Sequence, residues 1–224
     1  MKYELTSESM EHFGRALYRI KAVSSFGSVK EGDLGGWIES EDNLSQDGLA
    51  WVYGDAKVYG NAKVYGDAKV YTNVNVCGLA RVFGLAKVSG KALVYGNARV
   101  SGLARVYGNA GVSGLAEVSG SAKVCGDAEV YGSAKVFGSA RVSGSAKVSF
   151  GECSGIVINI INLCQYNITA YGDCIKVGCK EHTVSEWEKL LVNKDLYLDE
   201  CNSKKSRKEI KKIVKSLIKK LTGV

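Results

Sequence analysis

The chain has no proline and only two histidines among its 224 residues. The missing proline excludes collagen, proline-rich linkers and polyproline recognition segments. The two histidines, His12 and His182, leave little material for proton transfer near neutral pH. No apolar run approaches the ~20 residues a membrane-spanning helix needs, and the opening MKYELTSESM has no apolar stretch behind its lysine. Neither a membrane span nor a secretory signal is therefore expected, and the expected setting is the cytoplasm. Seven cysteines form an odd set in a chain too large to be a small stapled scaffold, and they read as reduced thiols. What remains is abundant glycine (27 residues), with 46% apolar and 24% charged residues. That balance can bury a core and is not the composition of a disordered chain.

The net charge of +7 is unevenly divided. Residues 1–47 carry net −4, residues 48–150 net +7, residues 151–202 net −4 and residues 203–224 net +8. Only the central block and the tail are electrostatic candidates for an anionic partner.

The central block is a repeat. Valine stands at every sixth position from Val52 to Val148, 17 times without a slip. Glycine follows two residues after most of these valines, with Thr72 the exception, and alanine four after, with Val74 the exception. In Ala56-Lys57-Val58-Tyr59 a short strand points Ala and Val inward and Lys and Tyr outward, and Gly60-Asn61 turns a corner. Four strand residues and a two-residue corner close a triangle, so three hexads make one coil of 18 residues, and stacked coils make parallel sheets on three faces. Seventeen hexads give about 5.7 coils, a rod on the order of 27 Å long at the ~4.8 Å strand spacing. The expected fold class is an all-β solenoid, a parallel β-helix.

The in-register units V-Y-G-D-A-K, V-Y-G-N-A-R and V-S-G-S-A-K resemble the left-handed β-helix of hexapeptide-repeat proteins, and the left hand is what that resemblance implies. The stretch RIKAVSSFGSVKEGDLGGWIESEDNLS (residues 19–45) looks like the lead-in of an uncharacterised bacterial and prophage hexapeptide-repeat family, some members of which are described as acyltransferases. The segment IKVGCKEHTVSEW (residues 175–187) looks like the ending of phage members. This resemblance implies a phage-encoded viral protein in a host cytoplasm, and suggests a factor that binds, or inhibits, a host defence protein.

A solenoid exposes strand edges and apolar surface at both ends and needs caps. Residues 1–47 are expected to cap the first coil, with Tyr18, Ile20 and Ala22 alternating against Arg19 and Lys21, and Gly35-Gly36-Trp37 leading an indole toward it. Residues 151–202 are expected to cap the last, through apolar strands at 156–163 and 168–177, the latter split by a Gly172-Asp173 turn. Thr183 and Glu186 form a capping box for a helix at about 184–193. Residues 203–224 read as a basic amphipathic helix, with Ile210, Ile213, Val214, Leu217, Ile218 and Leu221 on one stripe.

No residue reads as catalytic, and no cofactor is expected. An acyltransferase of this repeat class uses a histidine base and a loop that breaks the repeat, whereas both histidines lie outside the repeat and the valines leave no room for such a loop. Enzymatic acyl transfer is therefore the last-ranked alternative. Cys174, Cys179 and His182 have the only metal-like spacing; Cys153, Cys164 or Cys201 would have to complete a zinc set. The plainer reading is buried thiols beside a histidine at a helix start.

The surface carries the functional expectations. Residues 18 apart stack, so Lys69, Lys87, Arg105, Lys123 and Arg141 form one cationic column without an acid. Lys211, Lys212, Lys215 and Lys219 add a basic face on the tail helix. This is a candidate track for nucleic acid, nucleotide or another polyanion, or a solvated face that guards against aggregation. Outward Leu79, Phe83, Leu85, Leu103 and Leu115 suggest an interface for a homodimer or homotrimer. The leading expectation is a non-catalytic, oligomeric solenoid that acts by binding a protein partner; nucleic-acid or nucleotide binding is the alternative.

Overall fold

The computed structural model describes residues 1–153, 158–163, 166–177, 180–192 and 204–222. Its body is a parallel β-solenoid of about six coils. Each hexad contributes a two-residue strand, from Lys57–Val58 to Lys147–Val148, and strands one coil apart pair in parallel register: Lys69 with Lys87, Lys87 with Arg105, Arg105 with Lys123, Lys123 with Arg141. Three sheets result, one per face of the triangle.

Inward and outward positions follow the hexad. All 17 repeat valines and their alanine partners are wholly buried in one continuous core. Full burial of a valine side chain contributes about 1.5–3 kcal/mol, so the repeated inward pair is the main stabilising element. The corners need backbone that side chains resist: glycines 54 to 144 of the repeat have φ between 60° and 77°. At Gly90 (φ 77°) a Cβ would also sit 2.7 Å from the carbonyl oxygen of Gly108 on the next coil. Thr72 occupies the same left-handed conformation (φ 56°). Its hydroxyl accepts from the Gly90 N–H at 2.9 Å and lies 3.0 Å from the Gly90 carbonyl oxygen, which offsets the strain.

The first coil precedes the regular repeat. Ile38 stacks on Val58 and Leu44 on Val64, twenty residues apart rather than eighteen, while Val52 stacks on Val70. Asn43 holds this coil to the next. Its amide donates to the carbonyls of Gly60 and Ala62 (2.8 and 2.9 Å), and its Oδ1 accepts from the N–H groups of Glu39 and Ser40 (3.1 and 3.0 Å).

A hairpin covers the N-terminal end. Strands β1 (Tyr3–His12) and β2 (Arg15–Ala22) join through Phe13 and Gly14, both at positive φ as a type I′ turn requires. Strand β3 (Leu34–Ile38) pairs antiparallel with β2 and parallel with Lys57–Val58, fusing the cap to one face of the solenoid. The pairing of β2 with β3 is irregular between Arg19 and Lys21; Leu17 is buried and Tyr18 is turned outward. The end itself is sealed by Tyr3, whose hydroxyl donates to the Leu44 carbonyl at 2.6 Å and whose ring meets Trp51 edge-on. The Lys2 ammonium donates to the carbonyl of Ala50 at 3.0 Å and reaches those of Asp47 and Gly48. These are carbonyls on the outermost coil, and a lysine side chain meets them where no further strand follows.

At the other end the last rung slips by one residue, so that Cys153 rather than residue 154 stacks on Val136. A four-stranded antiparallel sheet (Ile158–Leu163, Tyr166–Tyr171, Cys174–Val177, Lys180–Thr183) then closes the solenoid. The Gly172-Asp173 turn divides its second and third strands as the sequence suggests. Tyr171 and Cys174 join the solenoid core, while Ile168, Ala170, Ile175 and Val177 face a second core with helix α1 (Val184–Val192) and helix α2 (Lys204–Thr222). The expected capping box is formed: the Thr183 N–H donates to Glu186 at 2.8 Å, and the Glu186 N–H to the Thr183 hydroxyl at 3.3 Å. Among the described residues no helix is long and apolar enough to cross a membrane.

Candidate binding face

The three faces differ in how they treat charge. On the face ending in Glu152, Arg99 meets Glu117 at 3.6 Å and Lys135 meets Glu152 at 3.3 Å. On the face ending in Lys147, Glu129 meets Lys147 at 2.9 Å. The remaining face carries Lys69, Lys87, Arg105, Lys123 and Arg141 in direct succession. None of the ion pairs found among the described residues involves this column. Like charges directly opposite on adjacent strands are destabilising; another face opens with Lys63, Arg81 and Arg99 in succession before Glu117 enters its ladder, whereas this face runs five cations with no acid among them.

Shallow grooves flank that ladder. One, of about 430 Å³, is bordered by Leu49, Leu85 and Leu103 along one corner of the triangle and shares Lys69, Lys87, Arg105 and Lys123 with the column. The other, of about 330 Å³, is lined by Tyr71, Lys87, Ser89, Arg105, Tyr107 and Lys123. Lys87, Arg105, Lys123 and Arg141 are exposed, whereas Lys69 is half-buried and reaches the Ser28 hydroxyl at 3.4 Å, under the N-terminal cap. The freely presented part of the column therefore begins at Lys87. Burial and the neighbouring Tyr53 push the Tyr71 hydroxyl pKa up; a hydrogen bond to Cys125, with burial, does the same for Tyr107. Both tyrosines are therefore neutral on a cationic face.

The structure joins two groups of residues that the sequence treats separately. Leu85 and Leu103, expected at an oligomer interface, line the same groove as the cations. Phe83 lies at that corner, its ring stacked on Tyr65 with centroids 4.9 Å apart. Leu79 and Leu115 follow the glycines of a different corner and are 52% and 64% exposed. Of the tail lysines, Lys212, Lys215 and Lys219 are exposed and Lys211 half-buried, while Ile210, Val214, Leu217 and Ile218 pack on the cap. Lys215 and Lys219 border a groove between α1 and α2 with Leu191, Val192 and Ile218.

Cys174 and His182 are on opposite sides of the cap sheet. Cys174 opposes Thr183 in the ladder and points into the solenoid core; His182 opposes Ile175 and sits edge-on to Trp187, 5.2 Å between centroids. Cys179, Cys164 and Cys201 lie outside the described residues. Among the described residues no group of three His, Cys, Asp or Glu side chains could hold a metal ion. Burial pushes the Cys174 thiol up to about 12, so it stays protonated. One contact has no signal in the sequence: the hairpin brings His12 back onto the solenoid's outer surface, its ring 5.2 Å from that of Tyr59. Burial, and then Lys57, lower the His12 pKa and favour the neutral imidazole.

A second polar cluster lies where the cap sheet meets the last coil. Lys176 donates to the Tyr131 hydroxyl at 2.9 Å and pairs with Glu181 at 3.3 Å, and the Ser149 hydroxyl donates to the same carboxylate. Burial raises the Glu181 pKa. Lys176 and Glu181 come from the cap sheet and Tyr131 and Ser149 from the last coils, so the cluster ties the cap to the solenoid.

Comparison with protein-family models and with curated proteins finds no match.

Proposed function

We propose that the chain is a non-catalytic binding module, a rigid solenoid that presents one cationic face to an anionic partner. One observation carries this reading: the column from Lys87 to Arg141 runs without a carboxylate partner, while each of the other two faces brings acids into its ladder, at Glu117 and Glu152 on one and Glu129 on the other. A self-repelling ladder lowers stability, and its persistence across four coils is accounted for by a ligand that supplies the missing negative charge. The lead-in at residues 19–45 supports taking the chain for a phage or prophage product whose anionic partner belongs to the host.

The test is the salt dependence of binding to inorganic polyphosphate. Binding should weaken steeply with salt, and replacing Lys87, Arg105 and Lys123 with glutamine should reduce the log–log slope by about three, near one per lost phosphate contact. Replacing Lys63 and Arg81 on another face should change it far less. Absent binding, or equal loss from both sets, overturns the reading.

Self-association is a second reading, favoured by Leu79, Leu85, Leu103 and Leu115, each more than half exposed at 52–64%. A sedimentation profile that remains monomeric at high concentration would remove it.

A further inference from the structure

Aromatic side chains on successive coils of this rod stack on one another. Tyr53 and Tyr71 lie with centroids 4.6 Å apart and planes 14° from parallel; Tyr65 and Phe83 lie 4.9 Å apart and 1° from parallel. Both distances are close to the ~4.8 Å rise from strand to strand, so an outward aromatic at one position of the hexad makes one step of a π-ladder. The column that begins Tyr53, Tyr71 does not continue evenly. The next coil has Ser89, and the coil after that has Tyr107. Two rises separate Tyr71 from Tyr107, about 9.6 Å. One ring level is vacant, with a tyrosine above, a tyrosine below and a serine at its base.

The vacant level lies inside the cationic groove: the residues lining that groove are these two tyrosines, Ser89, Lys87, Arg105 and Lys123. Tyr71 is backed by Tyr53, so that wall is braced from outside the slot, and Cys125 follows Tyr107 in the same column one coil on. A flat ring inserted over Ser89 would lie near 4.8 Å from each tyrosine, within the 4.5–7 Å centroid range of favourable aromatic pairs. A group attached to that ring and carrying negative charge would fall among three cations that have no carboxylate partner.

We propose that this slot binds a nucleobase, with its attached phosphate held by Lys87, Arg105 and Lys123, and that the ligand is single-stranded nucleic acid. The proposal rests on the anionic-partner reading above and gives that partner its chemistry. An acidic protein face would satisfy the cations and leave the slot unused, whereas a base has a π-face for both tyrosines. In a duplex the bases are already stacked on each other, so a single strand is the form that can offer one. Stacking of a base on an aromatic side chain combined with a basic groove is a general mode of single-strand binding.

The test uses the full chain and three probes: a deoxyadenosine decamer followed by fluorescence anisotropy, inorganic polyphosphate of matched charge, and adenosine monophosphate as competitor. The decamer should bind at least tenfold more tightly than polyphosphate, as expected for base stacking on tyrosine. Ser89→Tyr fills the vacant level with the residue its own column uses elsewhere, and Tyr107→Ala removes one wall. Each should bring the decamer down to the polyphosphate level while polyphosphate binding is unchanged. Competition by the mononucleotide, lost in Ser89→Tyr, would extend the ligand class to free nucleotides; no competition restricts it to strands. If the decamer is no better than polyphosphate, or Ser89→Tyr leaves its advantage intact, the slot proposal fails while the anionic-partner reading stands. If neither polyanion binds, both fail.

Discussion

Arg99 and Glu117 meet at 3.6 Å across adjacent coils, while on the neighbouring face Lys87 and Arg105 occupy the equivalent rungs as two cations. The contrast gives a stability signature. Replacing Lys87, Arg105 and Lys123 with glutamine should raise stability at low ionic strength by about 0.5–1 kcal/mol, since like-charge pairs on adjacent strands cost about this much. The gain should fade in 1 M salt, where the Debye length falls to about 3 Å. Urea denaturation at the two salt concentrations measures it. A gain independent of salt would mean that the cations do not repel one another.

Asn43 makes four hydrogen bonds while fully buried between the first and second coils. Asn43→Ala leaves two carbonyls and the Ser40 N–H without this partner, whereas the Glu39 N–H still donates to the Val58 carbonyl at 3.1 Å; the change should cost about 2–3 kcal/mol at roughly 1 kcal/mol per bond. Asn109, whose amide donates to Asp127 on the surface at 2.8 Å, serves as the comparison; its alanine variant should lose less than about 0.5 kcal/mol. Equal losses would show that the first coil is not held by this side chain.

Gly90 and Gly32 separate two effects of a methyl group. Both have positive φ, 77° and 87°, but a Cβ on Gly90 meets the Gly108 carbonyl oxygen at 2.7 Å whereas one on Gly32 meets nothing within 4 Å. Gly32→Ala should cost about 1–2 kcal/mol, the strain of left-handed backbone alone, and Gly90→Ala clearly more. Thermal unfolding of the two variants ranks them, and the reverse order would contradict the tight stacking of coils.

Lys2 sets a pH dependence at the N-terminal end. Burial lowers its pKa from 10.5 to about 8, partly opposed by Asp47 and Asp67. The folded state therefore holds this proton less tightly than the unfolded chain, and stability rises with pH where the unfolded state binds more protons. The charged ammonium costs stability below pH 8, and the cost is relieved between pH 8 and 10.5. Lys2→Met should flatten this rise in a pH series of chemical denaturation. Tyr3 works in the opposite direction at still higher pH, because burial raises its pKa and ionisation would unseat it; the comparison is cleanest between pH 8 and 10. An identical slope in both proteins would exclude Lys2 as its source.

The regular part of the molecule was legible because one physical constraint repeats: Val and Ala inward, Gly at the corner, every six residues. The ends were less legible for a local reason in each case. Ile38 and Leu44 begin the solenoid, but their partners lie twenty residues on, so a search for an eighteen-residue period passes over them. Cys153 continues the inward column one residue early. The turn at Phe13-Gly14 carries none of the usual Asn-Gly or Asp-Gly signal, although its geometry is that of the usual hairpin turn. The cationic column could be read from spacing alone. So could the absence of an acid within it; that no carboxylate from a corner or another face reaches it could not, because that depends on the three-dimensional placement of the side chains. The gap at Ser89 was present in the sequence as a single missing tyrosine, and acquired meaning only when Tyr53 and Tyr71 were seen to stack.

The triangular cross-section turns residue count into direction. Deleting eighteen residues, one full turn of the triangle, would shorten the rod by about 4.8 Å and leave the C-terminal lysines facing as before. Deleting six would swing the whole C-terminal assembly by a third of a revolution, bringing α2 above a different side. Hexad number is thus an angular setting as much as a length: it fixes which flank of the rod the basic helix overlooks.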